Sequence, residues 1–270
     1  MNCALKSKFE DRTYPMGTWL SIGHPRVAEV SAANETDFIL IDTEHTTIGL
    51  ETVENMSRAI ESTSSPTETV VRVPWNDPVR IKRVLDIGVD GIMVPMIDTV
   101  TEARDLVTAM RYPPDGIRGI ASGRAADEGD SFEDYVKSAN GSHVTIVQIE
   151  SEQAVENAPS IAAVDGVDAL FVGPADLSAA IGRFGQWDSK KFNKVLERVV
   201  DAAHEADIPI GTLTVNVDQV ELRIQQGFDF LIVGKDTSSL TNAISAARAE
   251  YDNVISENTT QSQAADSFEN

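Results

Sequence analysis

The chain is short of the residues that several kinds of chemistry need. One cysteine, Cys3, among 270 residues excludes an intrachain disulfide or thiolate metal centre. Lysine is scarce, and 43 acidic residues against 22 Lys and Arg give a net charge of −21. A surface of that sign repels nucleic acid and anionic membranes, so neither is expected as a partner. No apolar run approaches the ~20 residues of a membrane span. The first residues carry no apolar core of a signal peptide, so a cytoplasmic location is expected. No G-x-G-x-x-G motif follows the first strand-like run, and no nucleotide cofactor is expected. Dispersed acids with little lysine also suit a halophilic habitat, where salt screens self-repulsion.

Against these absences stands a regular alternation. Eight apolar, β-rich runs recur at 18–22, 38–42, 69–73, 91–96, 143–149, 169–172, 208–214 and 230–233. Helix-compatible stretches separate most of them. Val53, Met56 and Ile60 recur near helical spacing, and Asp77-Pro78 reads as an N-cap with proline at the first helical position. Eight such units predict a single-domain α/β fold, a closed (β/α)8 TIM barrel; an open doubly wound sheet is the alternative. We expect an N-terminal segment at 1–16, the barrel at 17–255 and a polar, disordered tail at 256–270. The long connection between the fourth and fifth strands, 111–142, with a short helix expected at 131–138, is of a length usually kept for function.

The strand ends carry the chemistry. The second ends Ile41-Asp42-Thr43-Glu44-His45, the third reaches Arg72, the fifth ends Gln148-Ile149-Glu150, and the sixth runs into Gly173-Pro174-Ala175-Asp176. In a barrel these ends share one mouth. Glu150 and Asp176 suit a hard divalent cation such as Mg²⁺, Mn²⁺ or Co²⁺; the alternative is that each caps the helix that follows it. Such a cation would hold a 2-oxo acid and stabilise its enolate. His45 is a candidate base with Asp42 to orient it, against an ordinary loop histidine. Arg72, in an apolar run, needs an anion: a substrate carboxylate or enolate oxygen, or else Asp42 or Glu44. The free amides of Ala175 and Asp176 can receive a carboxylate. A Schiff-base mechanism needs a barrel lysine, and the fifth and sixth strands have none; Lys235, after the eighth, is expected to contact an anion at most.

These segments resemble the HpcH/HpaI aldolase family of metal-dependent pyruvate aldolases. The resemblance spans residues 17–248 and rests on Asp42-Thr-Glu-His45, Val71-Arg-Val-Pro-Trp-Asn-Asp77, Val94-Pro-Met96, Arg111-Tyr-Pro-Pro-Asp-Gly-Ile-Arg-Gly119, Gln148-Ile-Glu150 and Val172-Gly-Pro-Ala-Asp-Leu-Ser178. It implies a class II aldolase that cleaves a 4-hydroxy-2-oxo acid to pyruvate and an aldehyde through a metal-stabilised enolate. It also implies a homohexamer, a trimer of dimers with the last helix exchanged. Glu150 and Asp176 would bind the metal. His45, supported by Asp42, would work with a metal-bound water. Arg72 would stabilise the enolate, and Gln148 with Gly173, Pro174, Ala175 and Asp176 would line the pyruvate pocket. Asp86 would reach a neighbouring subunit's site. Two departures, the short acidic loop 121–130 and Lys235, are expected on the aldehyde side. The alternatives are a citrate- or malyl-CoA-type acyl-CoA lyase, which would need a basic groove for the CoA phosphates, and a non-catalytic 2-oxo-acid-binding barrel.

Overall fold

The structure, a computed structural model, describes residues 4–130 and 132–266. Its strands are β1 (Met16–Leu20), β2 (Phe38–Asp42), β3 (Glu68–Arg72), β4 (Gly91–Val94), β5 (Val144–Ile149), β6 (Ala169–Val172), β7 (Ile210–Thr214) and β8 (Phe230–Lys235). They run parallel and close in chain order, β1 pairing with β8, which makes the fold a (β/α)8 barrel and not an open sheet. Each expected strand is present, with ends displaced by up to two residues.

Helix α1 (Ala4–Glu10) precedes the barrel. Helices α2 (Pro25–Ala32), α3 (Leu50–Glu61), α4 (Pro78–Leu85) and α5 (Val100–Met110) follow β1 to β4 in turn. The long connection holds a 3-10 turn, Arg124–Gly129, and α6 (Phe132–Ser142), while α7 (Glu152–Ala162) follows β5. Helices α8 (Pro174–Ala180) and α9 (Lys190–Glu205) link β6 to β7, α10 (Val220–Gln225) links β7 to β8, and α11 (Asp236–Asp266) ends the described chain. Helix α11 therefore runs through part of the stretch expected as a polar tail. Cys3, Ser131 and residues 267–270 lie outside the described residues.

Local signals account for the elements. The strands are β-branched runs buried on both faces, as parallel strands between helices must be. Asp77 accepts from the Arg80 amide at 2.7 Å with Pro78 beside it, so α4 starts where the sequence predicts. Thr99 and Glu102 form a reciprocal capping box on α5. Val53, Met56 and Ile60 form the buried face of α3.

Among the described residues two large apolar cores result, with a smaller cluster of Tyr112, Ala126, Tyr135 and Ala139 in the long connection. One lies between strands and helices. The other fills the barrel with Phe38, Leu40, Val70, Met93, Ile146, Phe171 and Phe230. Gly17 and Gly211 leave the space that the Phe38 and Phe230 rings occupy; a Cβ at either would collide with the ring. Helix α1 adds Leu5 and Phe9, both fully buried, with the Phe9 ring 4.6 Å from that of Phe230. Burying two such side chains contributes ~1.5–3 kcal/mol each. The helix seals the N-terminal end of the barrel and leaves the C-terminal end as the mouth.

Candidate functional site

The mouth is built around an ionic lattice. Asp42 and Arg72 face each other in the β2–β3 register. Arg72 donates from Nε to Asp42 Oδ1 at 2.9 Å and from Nη2 to Oδ2 at 2.8 Å, a bidentate fork. Its Nη1 pairs with Glu44 Oε2 at 2.7 Å, and its Cζ lies 4.5 Å from the Trp19 ring centroid. Burial opposes ionisation of Asp42, but the hydrogen bonds and charge of Arg72 outweigh it and hold the carboxyl below its usual range. For Glu44 burial prevails over Arg72 and His45, and its pKa is raised.

This arrangement alters the expected role of Asp42. Its carboxylate is committed to Arg72, to the Glu44 amide at 3.0 Å and to the His45 backbone amide, and among the described residues it bonds no atom of the His45 ring. Glu44 Oε1 stands 3.7 Å from His45 Nε2, and the His45 side chain is 67% exposed. The reason is the pleat: Asp42 ends β2 opposite Arg72, whereas His45 lies three residues beyond the strand. Trp19 and Met96 are site residues that the sequence reading did not single out, although Met96 lies inside a segment it quoted; Glu44 is expected from sequence only as an alternative partner of Arg72.

Glu150 sits at the end of β5 and is 4% exposed. The Met96 amide donates to its Oε1 at 2.8 Å, and Gln148 Nε2 donates to its Oε2. Met96 takes φ 55°, a left-handed conformation costly for this side chain, and in it the amide is aimed at the carboxylate. Burial pushes the Glu150 pKa up to about 7; the Met96 amide opposes this, while Glu44 and Asp176 reinforce it. Asp176 lies in the first turn of α8, and Gly173 is the N-cap. Ser151, not Glu150, caps α7. Neither acid is a helix cap.

The donor set fits a hard cation. Two or three carboxylates repel one another beside a buried, unpaired Gln148 Oε1. A Cβ on Gly173 would lie 2.6 Å from Gln148 Nε2 and 2.9 Å from Glu150 Oε2, so the turn can pass this close only as glycine. Among the described residues no group of three or more His, Cys, Asp or Glu converges as a protein cage. Magnesium-type sites are commonly held by one or two carboxylates, with water and substrate completing the shell.

Other expected residues lie elsewhere. Asp86 caps the C-terminal end of α4, away from this chain's own mouth, and accepts from Arg118 Nη2 at 3.0 Å. The loop 121–130 does not border that mouth either: Arg124 bonds Glu61 and the Ile87 carbonyl, at the far ends of α3 and α4. Its charged arginine finds partners there, which loop length alone does not reveal. Lys235 ends β8 opposite Trp19.

Comparison with known proteins adds to this geometry. The HpcH/HpaI aldolase/citrate lyase family pattern matches residues 15–243. A 4-hydroxy-2-oxo-heptane-1,7-dioate aldolase of Shigella sonnei is 39% identical over 237 residues, 87% of this chain and 90% of its own. The crystal structure of an HpcH/HpaI aldolase/citrate lyase family protein from Burkholderia cenocepacia superposes with TM-score 0.89 at 36% identity, covering 93% of this chain and 99% of that one. The citrate synthase SbnG superposes with TM-score 0.82 at 28% identity, covering 92% and 97%.

Proposed function

This chain belongs to the HpcH/HpaI aldolase/citrate lyase family, and from that premise we propose that it is a divalent-metal-dependent class II aldolase. It cleaves a 4-hydroxy-2-oxo acid reversibly to pyruvate and an aldehyde. The observation that carries this reading is the pair Glu150, directly after β5, and Asp176, in the first turn of the helix that follows neighbouring β6, neither of them capping a helix. They would hold Mg²⁺, Mn²⁺ or Co²⁺. When bound, the cation supplies Lewis acidity toward the 2-oxo group.

The chain's own residues do the rest. Gln148 and the Gly173–Asp176 turn line the pyruvate end, with the amides of Ala175 and Asp176 open to its carboxylate. Arg72 has five N–H donors; two bond Asp42, and Nη1 forms an ion pair with Glu44. The Nη groups have donors left to meet the oxygen on which negative charge develops, from a guanidinium already fixed in place. His45 Nε2 takes the 4-hydroxyl proton. The O–H pair becomes the aldehyde C=O, the C3–C4 pair passes to C3, and His45 returns the proton there. Glu44 Oε1 lies 3.7 Å from Nε2. An acyl-CoA substrate would need a cationic groove for its phosphates, for which so acidic a chain is poorly equipped.

We carry the oligomer over as part of this proposal. Helix α11 exposes Leu240, Ile244, Tyr251, Val254 and Ile255, which a second copy would cover. In a hexamer of that kind Asp86 would serve a neighbour's site. The test is pyruvate release at high salt from hydroxy-oxo acids. It should need Mg²⁺, Mn²⁺ or Co²⁺, survive borohydride, and vanish in Glu150→Ala and Asp176→Ala. Full activity after metal stripping would overturn the proposal.

A further inference from the structure

A second cavity opens beside the mouth, between the β6–α8 turn and the β7–α10 connection. It measures about 260 Å³. Ala175 gives it one wall, and that residue also belongs to the turn assigned to pyruvate. Trp187, Leu213 and Val215 make most of the remainder apolar, and Arg223 of α10 lines it with the only cationic side chain among its described lining residues.

Arg223 is unusual in its setting. It is 6% exposed, yet it forms no ion pair among the described residues. Its Nη1 donates to Gln226 Oε1 at 2.8 Å, and its Nε is buried without a partner. Asp188, exposed on the surface, acts on it through space without coming within ion-pair distance. A buried guanidinium with open donors is costly unless an anion arrives to meet it.

We propose that this cavity is a carboxylate subsite, in which Arg223 selects acceptor aldehydes that end in a carboxylate at the far end of a short apolar chain. The inference rests on the aldolase reading above, because the cavity adjoins the pyruvate turn. One guanidinium among apolar walls matches a monoanion on a methylene chain better than a phosphate dianion. Arg223 is thus a specificity residue, and the reacting atoms stay with the mouth.

The experiment compares aldol addition of pyruvate to succinate semialdehyde and to butanal, a neutral aldehyde with the same four-carbon chain. In Arg223→Met the kcat/KM ratio of the two aldehydes falls by at least about tenfold, and Arg223→Lys recovers part of it. Val215→Asp, at a residue 40% exposed and so tolerant of substitution, puts a repelling charge in the same cavity and lowers the ratio likewise. Succinate binding by calorimetry weakens in both variants, a readout that needs no turnover. A ratio unchanged within about twofold in Val215→Asp and in folded Arg223→Met overturns the proposal. So does succinate binding indifferent to both substitutions. Absence of pyruvate methyl deuterium exchange in the native protein, with succinate binding still dependent on Arg223, would defeat the aldolase reading and leave the anion subsite standing.

Discussion

Asp42 and Arg72, register partners on β2 and β3, share two hydrogen bonds of 2.9 and 2.8 Å at the mouth of the barrel. The arginine is therefore a fixed plane whose orientation is set before any ligand arrives. Arg72→Lys keeps the charge and loses the fork. It is expected to fold and to lose about 100-fold or more in kcat/KM for pyruvate release. Asp42→Ala leaves Arg72 buried with only Glu44 beside it and should cost about 3–5 kcal/mol in urea unfolding. Native-like turnover in Arg72→Lys would show that the fork has no part in the reaction.

The Glu150 carboxylate is held from both sides, by the Met96 amide and by Gln148. Partners of that kind set the orientation of a metal ligand, and removing one typically costs about 10–100-fold in affinity. Gln148→Leu should weaken Mn²⁺ binding by that factor while Glu150→Ala abolishes it. Calorimetric titration of Mn²⁺ reads both without reference to catalysis. Equal Mn²⁺ affinity in native protein and Glu150→Ala would place the cation elsewhere.

Much of this site was legible because a parallel strand announces itself. A β-branched run stopping at Asp42, Glu150 or Gly173 marks a strand end, and strand ends in a closed barrel converge. Which partner each end residue takes was not decidable, since partnership depends on register across strands. The sequence reads Asp42 as the orienter of His45 or, alternatively, as a partner of Arg72; its side chain takes Arg72, thirty residues away. Helix α1 escaped notice because two large apolar residues, Leu5 and Phe9, in seven make too weak a period to read. Arg223 escaped because an arginine in a polar stretch such as Glu221–Gln226 reads as solvent-exposed.

His143 gives a pH dependence separate from the mouth. Burial, then the positive charges of Arg118 and Lys6, push its pKa down to about 3. The unfolded chain binds a proton there near pH 6.5, the folded chain not until about pH 3. Between these values the unfolded state holds more protons, so stability falls as pH drops through that window and is fully present above it. His143→Gln should flatten this part of the stability profile, measured by urea unfolding from pH 7 to pH 4. An unchanged slope would assign the acid sensitivity to other groups.

The seal at the closed end of the barrel can be tested apart from function. Phe9 is 1% exposed and packs on Phe230, which in turn lies 6.2 Å from both Phe38 and Phe171. Truncating Phe9 to alanine removes a ring from the top of this stack and leaves a cavity that a barrel, tied by hydrogen bonds all round, cannot collapse to fill. The expected loss is about 3–5 kcal/mol, read as a lower urea midpoint at unchanged slope. The mouth lies at the opposite end of every strand, so kcat at low temperature should be retained. If stability is unaffected, α1 is an appendage and the inner core of strand residues closes the barrel without it. If stability and kcat fall together, the aromatic stack transmits its packing to Trp19, which joins Phe171 at 6.3 Å to Arg72 at 4.5 Å, and the two ends of the barrel are mechanically one.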